Sequence, residues 1–224
     1  MNEKKNEIAV VIPAYNEEKT IGNVLLEAKK YVSLIVVVDD GSDDQTAEIA
    51  EKLNVKVLHH AANLGKGAAL KTGCQAAVNL GAKIIITMDA DGQHKPEDIP
   101  RFINVLQNNK VDLVLGSRNL SFGMPLVRIL GSKIVSFFIA KLFNIYITDP
   151  LCGFRAFTKK SYSKLIWDSS DYAVETEMIA RAGINRITFV EIPIETVYID
   201  KYKGMSILDA YRVIATIFKW RFLK

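Results

Sequence analysis

The chain has 224 residues, 49% hydrophobic and 24% charged, with a mass of 25.0 kDa, enough for one large α/β domain that buries most of its apolar surface. This balance excludes a disordered, low-complexity or staple-dependent chain, and a net charge of +4 is too mild to point to nucleic acid. The basic excess is local: residues 119–148 hold Arg128, Lys133 and Lys141 with no acidic residue, and residues 205–224 hold Arg212, Lys219, Arg221 and Lys224 against Asp209 alone. Cys74 and Cys152 lie far apart and lack Cys/His ligand spacing, which argues against a disulfide framework or zinc site and for a reducing cytosol. The start, MNEKKNEIAVV, has no small-residue cleavage site after its short apolar run, so no signal peptide is expected. No run of about 18 uncharged apolar residues predicts a transmembrane helix.

In chain order, Ile8 to Ile12 is a short β-branched run, a strand buried on both faces, and Thr20 to Lys30 has helical spacing. Further strands are expected over Leu34 to Asp39, Val55 to Leu58, Lys83 to Met88 and Val111 to Leu115, with helices between them over Thr46 to Lys52, Gly67 to Leu80 and Pro96 to Asn108. Pro96 suits a first helical turn. The alternation predicts a Rossmann-like, mainly parallel, doubly wound α/β sheet with helices on both faces. Beyond it, Val127, Gly131, Ile134, Val135, Phe138, Leu142 and Ile145 form an apolar stripe opposite Arg128, Ser132, Lys133, Ser136 and Asn144. Ile207, Tyr211, Ile214, Phe218 and Phe222 form another, opposite Asp209, Arg212, Thr216 and Lys219. Such helices lie in the interface of an anionic membrane, or pack on the core or on a second subunit as in a homodimer. With no linker in the chain, the simplest division is one domain over 1–204 and an amphipathic C-terminal helix over 205–224.

Ligands of such sheets bind outside the carboxyl ends of the strands, so the residues there are the ones to read for chemistry. Asp89-Ala90-Asp91 follows the fourth run, and two carboxylates one residue apart can converge on a hard cation that bridges a diphosphate. The bland alternative is a helix cap near Pro96 or a solvated pair. Asp40, in Asp39-Asp40-Gly41-Ser42, can accept from a nucleobase N–H or a ribose hydroxyl, whereas a turn with Asp44 as N-cap would explain its neighbours. The residues alone therefore describe an α/β domain holding a divalent cation and a nucleotide at the carboxyl edge of its sheet.

In order, VIPAYNEE, VVDDGSDDQT, NLGKGAALKTG, MDADGQHKPEDIP, LGSR and DPLCGFRAF resemble the signature blocks of the family-2 inverting glycosyltransferases with the GT-A fold. The likeness is greatest to the branch of dolichol-phosphate mannose synthases and dolichyl-phosphate glucosyltransferases, and it spans residues 8–198. It implies a doubly wound mixed sheet, Mg²⁺ or Mn²⁺ as cofactor, and a nucleotide-diphosphate sugar donor. GDP-mannose is the first choice, with UDP-glucose and UDP-N-acetylglucosamine as close rivals. It also implies a polyprenyl (dolichyl) phosphate acceptor and, with no spanning helix expected, a peripheral enzyme at the cytoplasmic face of a membrane.

By the same resemblance, Pro13, Tyr15 and Glu17 hold base and ribose, with Asp40 as a second nucleoside contact. Asp89, Asp91 and Gln93 take the metal and donor phosphates, and Lys66 lies near the nucleotide. Arg118 and Arg128 contact the acceptor phosphate; the basic Lys201 and Lys203 either join them or lie in an ordinary solvated loop. A hydroxyl acceptor would need a carboxylate base, for which Glu175 and Glu177 are the candidates. About 200° apart on a helix, only one of the two can face the site. A phosphate acceptor is already anionic and needs none, only charge neutralisation and alignment.

Overall fold

The computed structural model describes residues 7–108, 110–118, 126–195 and 215–221. The first half alternates as expected: β1 (Ile8–Ala14), α1 (Ile21–Ala28), β2 (Leu34–Asp39), α2 (Thr46–Lys52), β3 (Lys56–His59), α3 (Lys66–Asn79), β4 (Ile84–Thr87), a 3-10 turn at Pro96–Asp98, α4 (Ile99–Asn108) and β5 (Leu113–Arg118). The second half adds α5 (Leu126–Phe143), β6 (Arg155–Thr158), α6 (Lys159–Leu165), α7 (Val174–Ile184), β7 (Phe189–Ile194) and the helical residues 215–221, here α8.

Among the described residues the strands form one seven-stranded sheet in the order β3-β2-β1-β4-β6-β5-β7. All neighbours are parallel except β6, which runs antiparallel to both β4 and β5. Both faces are covered, which is why the strands read as unbroken apolar runs. Val36 and Val38 point into one core with α3, α5 and α7; Ile35 and Val37 point into the other with α1 and α4.

Two features open a crevice at the carboxyl edge. β1 pairs with β2 on one side and β4 on the other, so the strand order reverses at β1, where open α/β sheets bind ligands. The last residue pair between β1 and β4 is Val11 with Thr87. Pro13 lies beyond it and, two residues on from Val11, turns its nitrogen to the same side, so its missing N–H breaks no ladder bond. Because β6 is antiparallel it begins at this same edge, and the segment Asp149 to Phe154 before it arrives beside the ends of β4 and β5.

The expectation for the α5 stripe is met in part: Val135 and Ile145 are buried and Phe138 and Leu142 pack on the same core, but Ile134 is not buried. The buried face carries Ser132, Val135, Ser136, Ile139 and Phe143, while Leu130, Ile134 and Phe137 are exposed, with Phe137 at 63%. Two serines of the expected polar face are thus inside, one satisfied by donation from Ser136 Oγ to the Ile147 carbonyl. In α8, Ile217 is fully buried and Trp220 packs on the same core, so this helix is docked onto the domain, with Phe218 edge-on to Phe138. The rest of the expected C-terminal stripe lies outside the described residues. Among the described residues, no helix is long and apolar enough to cross a membrane.

Candidate active site

The loop after β1 is laced to the loop after β2. Asn16 N–H donates to Ser42 Oγ (3.0 Å), Asp43 N–H to Asn16 Oδ1 (2.9 Å), and Glu17 N–H to Thr46 Oγ1 (2.7 Å). Asp44 Oδ1 accepts from Thr46 N–H at 2.9 Å, so it caps α2 as expected, although from one residue before the helix's own N-cap position, Gln45. These bonds fix Tyr15, which is exposed, and Glu17, which is half-buried, at the mouth of the crevice; Pro13 is buried in β1.

Asp40 is buried, and its carboxylate shapes its own chain: Oδ1 accepts from Leu64 N–H (3.0 Å) and lies 2.6 Å from His60 Nδ1, while Oδ2 accepts from Gly65 N–H (2.8 Å). That clamp sets the turn leading into α3. Gly65 adopts φ +96°, and a Cβ there would sit 2.4 Å from the Ser170 carbonyl, so only glycine lets the turn close on the 169–171 loop. The neighbouring Asp39, also buried, keeps Oδ1 without a hydrogen-bond partner among the described residues.

The turn delivers Lys66, first residue of α3, to the end of β4. Its ammonium lies 2.6 Å from Asp89 Oδ1 and 2.7 Å from Glu175 Oε1. Gly153, just before β6, leans over this group: a Cβ would stand 2.9 Å from Asp89 Oδ1 and 3.0 Å from Lys66 Nζ. Burial opposes ionisation of Asp89, but the charge of Lys66 chiefly outweighs it and holds the carboxyl down at about 2. Asp91 goes the other way, raised by burial and by the charge of Asp89. Its Oδ1 accepts from the Gln93 N–H at 3.0 Å.

The two candidate bases part company here. Glu175 faces Lys66, whereas Glu177, the other candidate base, turns to the other side of α7. Glu177 accepts from the backbone N–H groups of Asp168 (3.0 Å) and Ser169 (2.9 Å), from Ser169 Oγ (2.6 Å) and from Arg181 Nε (2.7 Å). It is 1% exposed and holds a loop, which corrects its assignment to the reacting centre.

Arg118, ending β5, grips Asp149 in a fork, Nε to Oδ2 at 2.6 Å and an Nη to Oδ1 at 2.9 Å. Arg128 belongs to the first turn of α5, but its side chain lies outside the described residues, as do Lys201 and Lys203.

Sequence reasoning missed three residues. His94 accepts the Asp89 N–H on Nδ1 (3.2 Å), which leaves its ring proton on Nε2, facing Cys152 Sγ at 4.0 Å, and burial lowers its pKa. Asp149 orients Arg118. Arg155, fully buried, donates to the carbonyls of Pro150 (2.9 Å), Cys152 (2.9 Å) and Glu175 (2.6 Å), tying the β6 approach to the start of α7. An arginine flanked by Phe154, Ala156 and Phe157 in a strand-like run was the available signal, since a buried guanidinium must find acceptors.

The donor set suits a hard divalent cation. It offers two carboxylates whose mutual repulsion a cation relieves, and such ions are commonly held by one or two carboxylates plus substrate phosphates. Among the described residues, no three His, Cys, Asp or Glu form a group able to hold a metal by themselves.

The chain matches the model of glycosyl transferase family 2 over residues 9–166. It is 35% identical to the UDP-N-acetylglucosamine–dolichyl-phosphate N-acetylglucosaminyltransferase of Methanococcus voltae, covering 92% of each chain. It is 29% identical to the polyprenol monophosphomannose synthase of Mycolicibacterium smegmatis, over 94% of this chain and 84% of that one. The fold resembles that of glucosyl-3-phosphoglycerate synthase from Mycobacterium tuberculosis in complex with Mn²⁺, UDP and phosphoglyceric acid, with TM-score 0.75, 20% identity, and coverage of 98% of this chain and 82% of that chain.

Proposed function

This chain belongs to glycosyl transferase family 2, and from that premise we propose that it moves one sugar from a nucleotide diphosphate to a polyprenyl phosphate, with inversion, giving a lipid-linked monosaccharide. The observation that carries the acceptor class is the state of the two glutamates. Glu177 is spent on a loop and Glu175 is paired with an ammonium, so neither is disposed as the base that a hydroxyl acceptor requires. A lipid phosphate brings its own charged oxygen. The relatives named for dolichyl-phosphate and polyprenol substrates support the same class.

In this reading, Tyr15 and Glu17 line the nucleoside pocket beside Asp40 and Asp39, whose buried Oδ1 is a spare acceptor for a ring N–H or ribose hydroxyl. Mg²⁺ or Mn²⁺, held by Asp91 with Asp89 and Gln93, would supply positive charge to the leaving diphosphate. Lys66, with three donors and two carboxylate partners, directs a further N–H at the donor phosphates. Arg118, its plane set by Asp149, and Arg128 and Lys203 receive the acceptor phosphate. His94 and Gly153 hold the Asp89 turn in place.

Contact with the bilayer is assigned to α5, whose exposed Leu130, Ile134 and Phe137 share a face with the exposed Lys133 and Lys141. A peripheral place at the cytoplasmic face agrees with the two buried, free cysteines. The donor is GDP-mannose or a UDP-sugar; the named relatives include a UDP-N-acetylglucosamine transferase and a monophosphomannose synthase. Mass spectrometry of reactions with short polyprenyl phosphate, Mn²⁺ and a panel of GDP- and UDP-sugars tests the reading. One donor should yield a lipid-phosphate monosaccharide, and Asp91→Ala should lower its rate by about 100-fold or more, as when a group acting on transition-state charge is removed. Undiminished transfer by Asp91→Ala would contradict the assignment.

A further inference from the structure

We propose that Lys66 is a resident counter-ion that competes with the divalent cation for Asp89, so that the metal binds tightly only together with the nucleotide diphosphate. The inference rests on the reading of Asp89 and Asp91 as metal ligands and goes beyond it by making metal binding conditional.

The geometry supplies the competition. Lys66 Nζ lies 2.6 Å from Asp89 Oδ1, a distance at which the ammonium occupies a lone pair of that oxygen and places its charge where a metal on Asp89 would sit close by. A divalent ion approaching that oxygen meets the ammonium's charge in a largely buried site, where charges are weakly screened. Glu175, 2.7 Å from the same ammonium and only 4% exposed, is a second anchor. On its flexible four-carbon stem the lysine can leave Asp89 without leaving the site. The other surroundings do not take over this part. His94 Nδ1 is spent on the Asp89 N–H, and Arg155 is committed to three carbonyls. Gly153 closes over the pair from the β6 side.

A nucleotide diphosphate changes the balance. Its oxygens accept the ammonium, its charge offsets the repulsion between lysine and metal, and it adds ligands of its own. The coupling is reciprocal, so the metal strengthens nucleotide binding by the factor by which the nucleotide strengthens metal binding.

Mn²⁺ titrations read by electron paramagnetic resonance, with and without UDP or GDP, test this on the wild type, Lys66→Met and the double variant Lys66→Met/Glu175→Gln. The double variant keeps the cluster's net charge and leaves no buried glutamate without its cation, which protects folding; melting curves check this. The wild type should bind Mn²⁺ weakly alone and tightly with nucleotide. Both variants should bind nucleotide-free Mn²⁺ more tightly, on the order of tenfold, within the usual span of coupling between sites. Wild-type Mn²⁺ affinity that is already tight without nucleotide, or a double variant no tighter than wild type, would overturn the inference while leaving the metal assignment standing. Absence of Mn²⁺ binding in every protein, with or without nucleotide, would overturn the metal assignment and the inference with it.

Discussion

Glu175 and Glu177 stand two residues apart in one helix and do different work. Their angular separation was legible from spacing, but which one faces the crevice is set by the rotation of α7, fixed when Val174, Met178 and Ile179 bury themselves in the core. That is a tertiary fact no local pattern contains. Asp40 was legible as a carboxylate at a strand end, yet its engagement with Leu64 and Gly65 depends on a turn more than twenty residues away. Asp89 and Asp91 could be placed from sequence because an apolar run ended in them. From the loop-holding role of Glu177 we predict that Glu177→Gln lowers stability by about 1–3 kcal/mol, through weakened bonds to two part-buried N–H groups and to the partly exposed Arg181, and leaves transfer by the folded enzyme within a few-fold of wild type. Thermal melts with parallel kinetics check it; an unchanged Tm with abolished transfer would restore Glu177 as a base.

At the scale of elements, the first five strands and the helices between them were readable because both periods are strong there. In α5 the period identified the helix and most of its buried face, but placed Ile134 inside and Ser132 and Ser136 outside. Apolar residues occur all round it, and burial was decided by fit, small serines packing inside while Leu130, Ile134 and Phe137 stay out. An exposed aliphatic and aromatic face flanked by Lys133 and Lys141 suits a shallow place among anionic headgroups. Phe137→Asp should therefore weaken binding to vesicles containing anionic lipid by about tenfold or more, read by co-sedimentation, since each buried apolar side chain adds about 1.5–3 kcal/mol to such binding. Because Phe137 is 63% exposed, the melting curve should scarcely move. Unaltered co-sedimentation would place the contact elsewhere.

Across the whole molecule, the site is assembled by topology. β1 and β4 open at the reversal of strand order, and β6, entering antiparallel, brings Asp149, Gly153 and Arg155 to the edge where Asp89 and Arg118 already stand. Alternation along the chain announces parallel strands and is silent on a strand inserted the other way, so this half of the site was visible only as an ordered set of motif blocks. The arrangement gathers cations and spent carboxylates where a hydroxyl acceptor would need a base at liberty. Its most direct test is a comparison of polyprenyl phosphate with the polyprenol of the same length, each offered with Mn²⁺ and the same panel of GDP- and UDP-sugars. The phosphate should be glycosylated by one donor and the alcohol left untouched; glycosylation of the alcohol at a comparable rate would contradict the account.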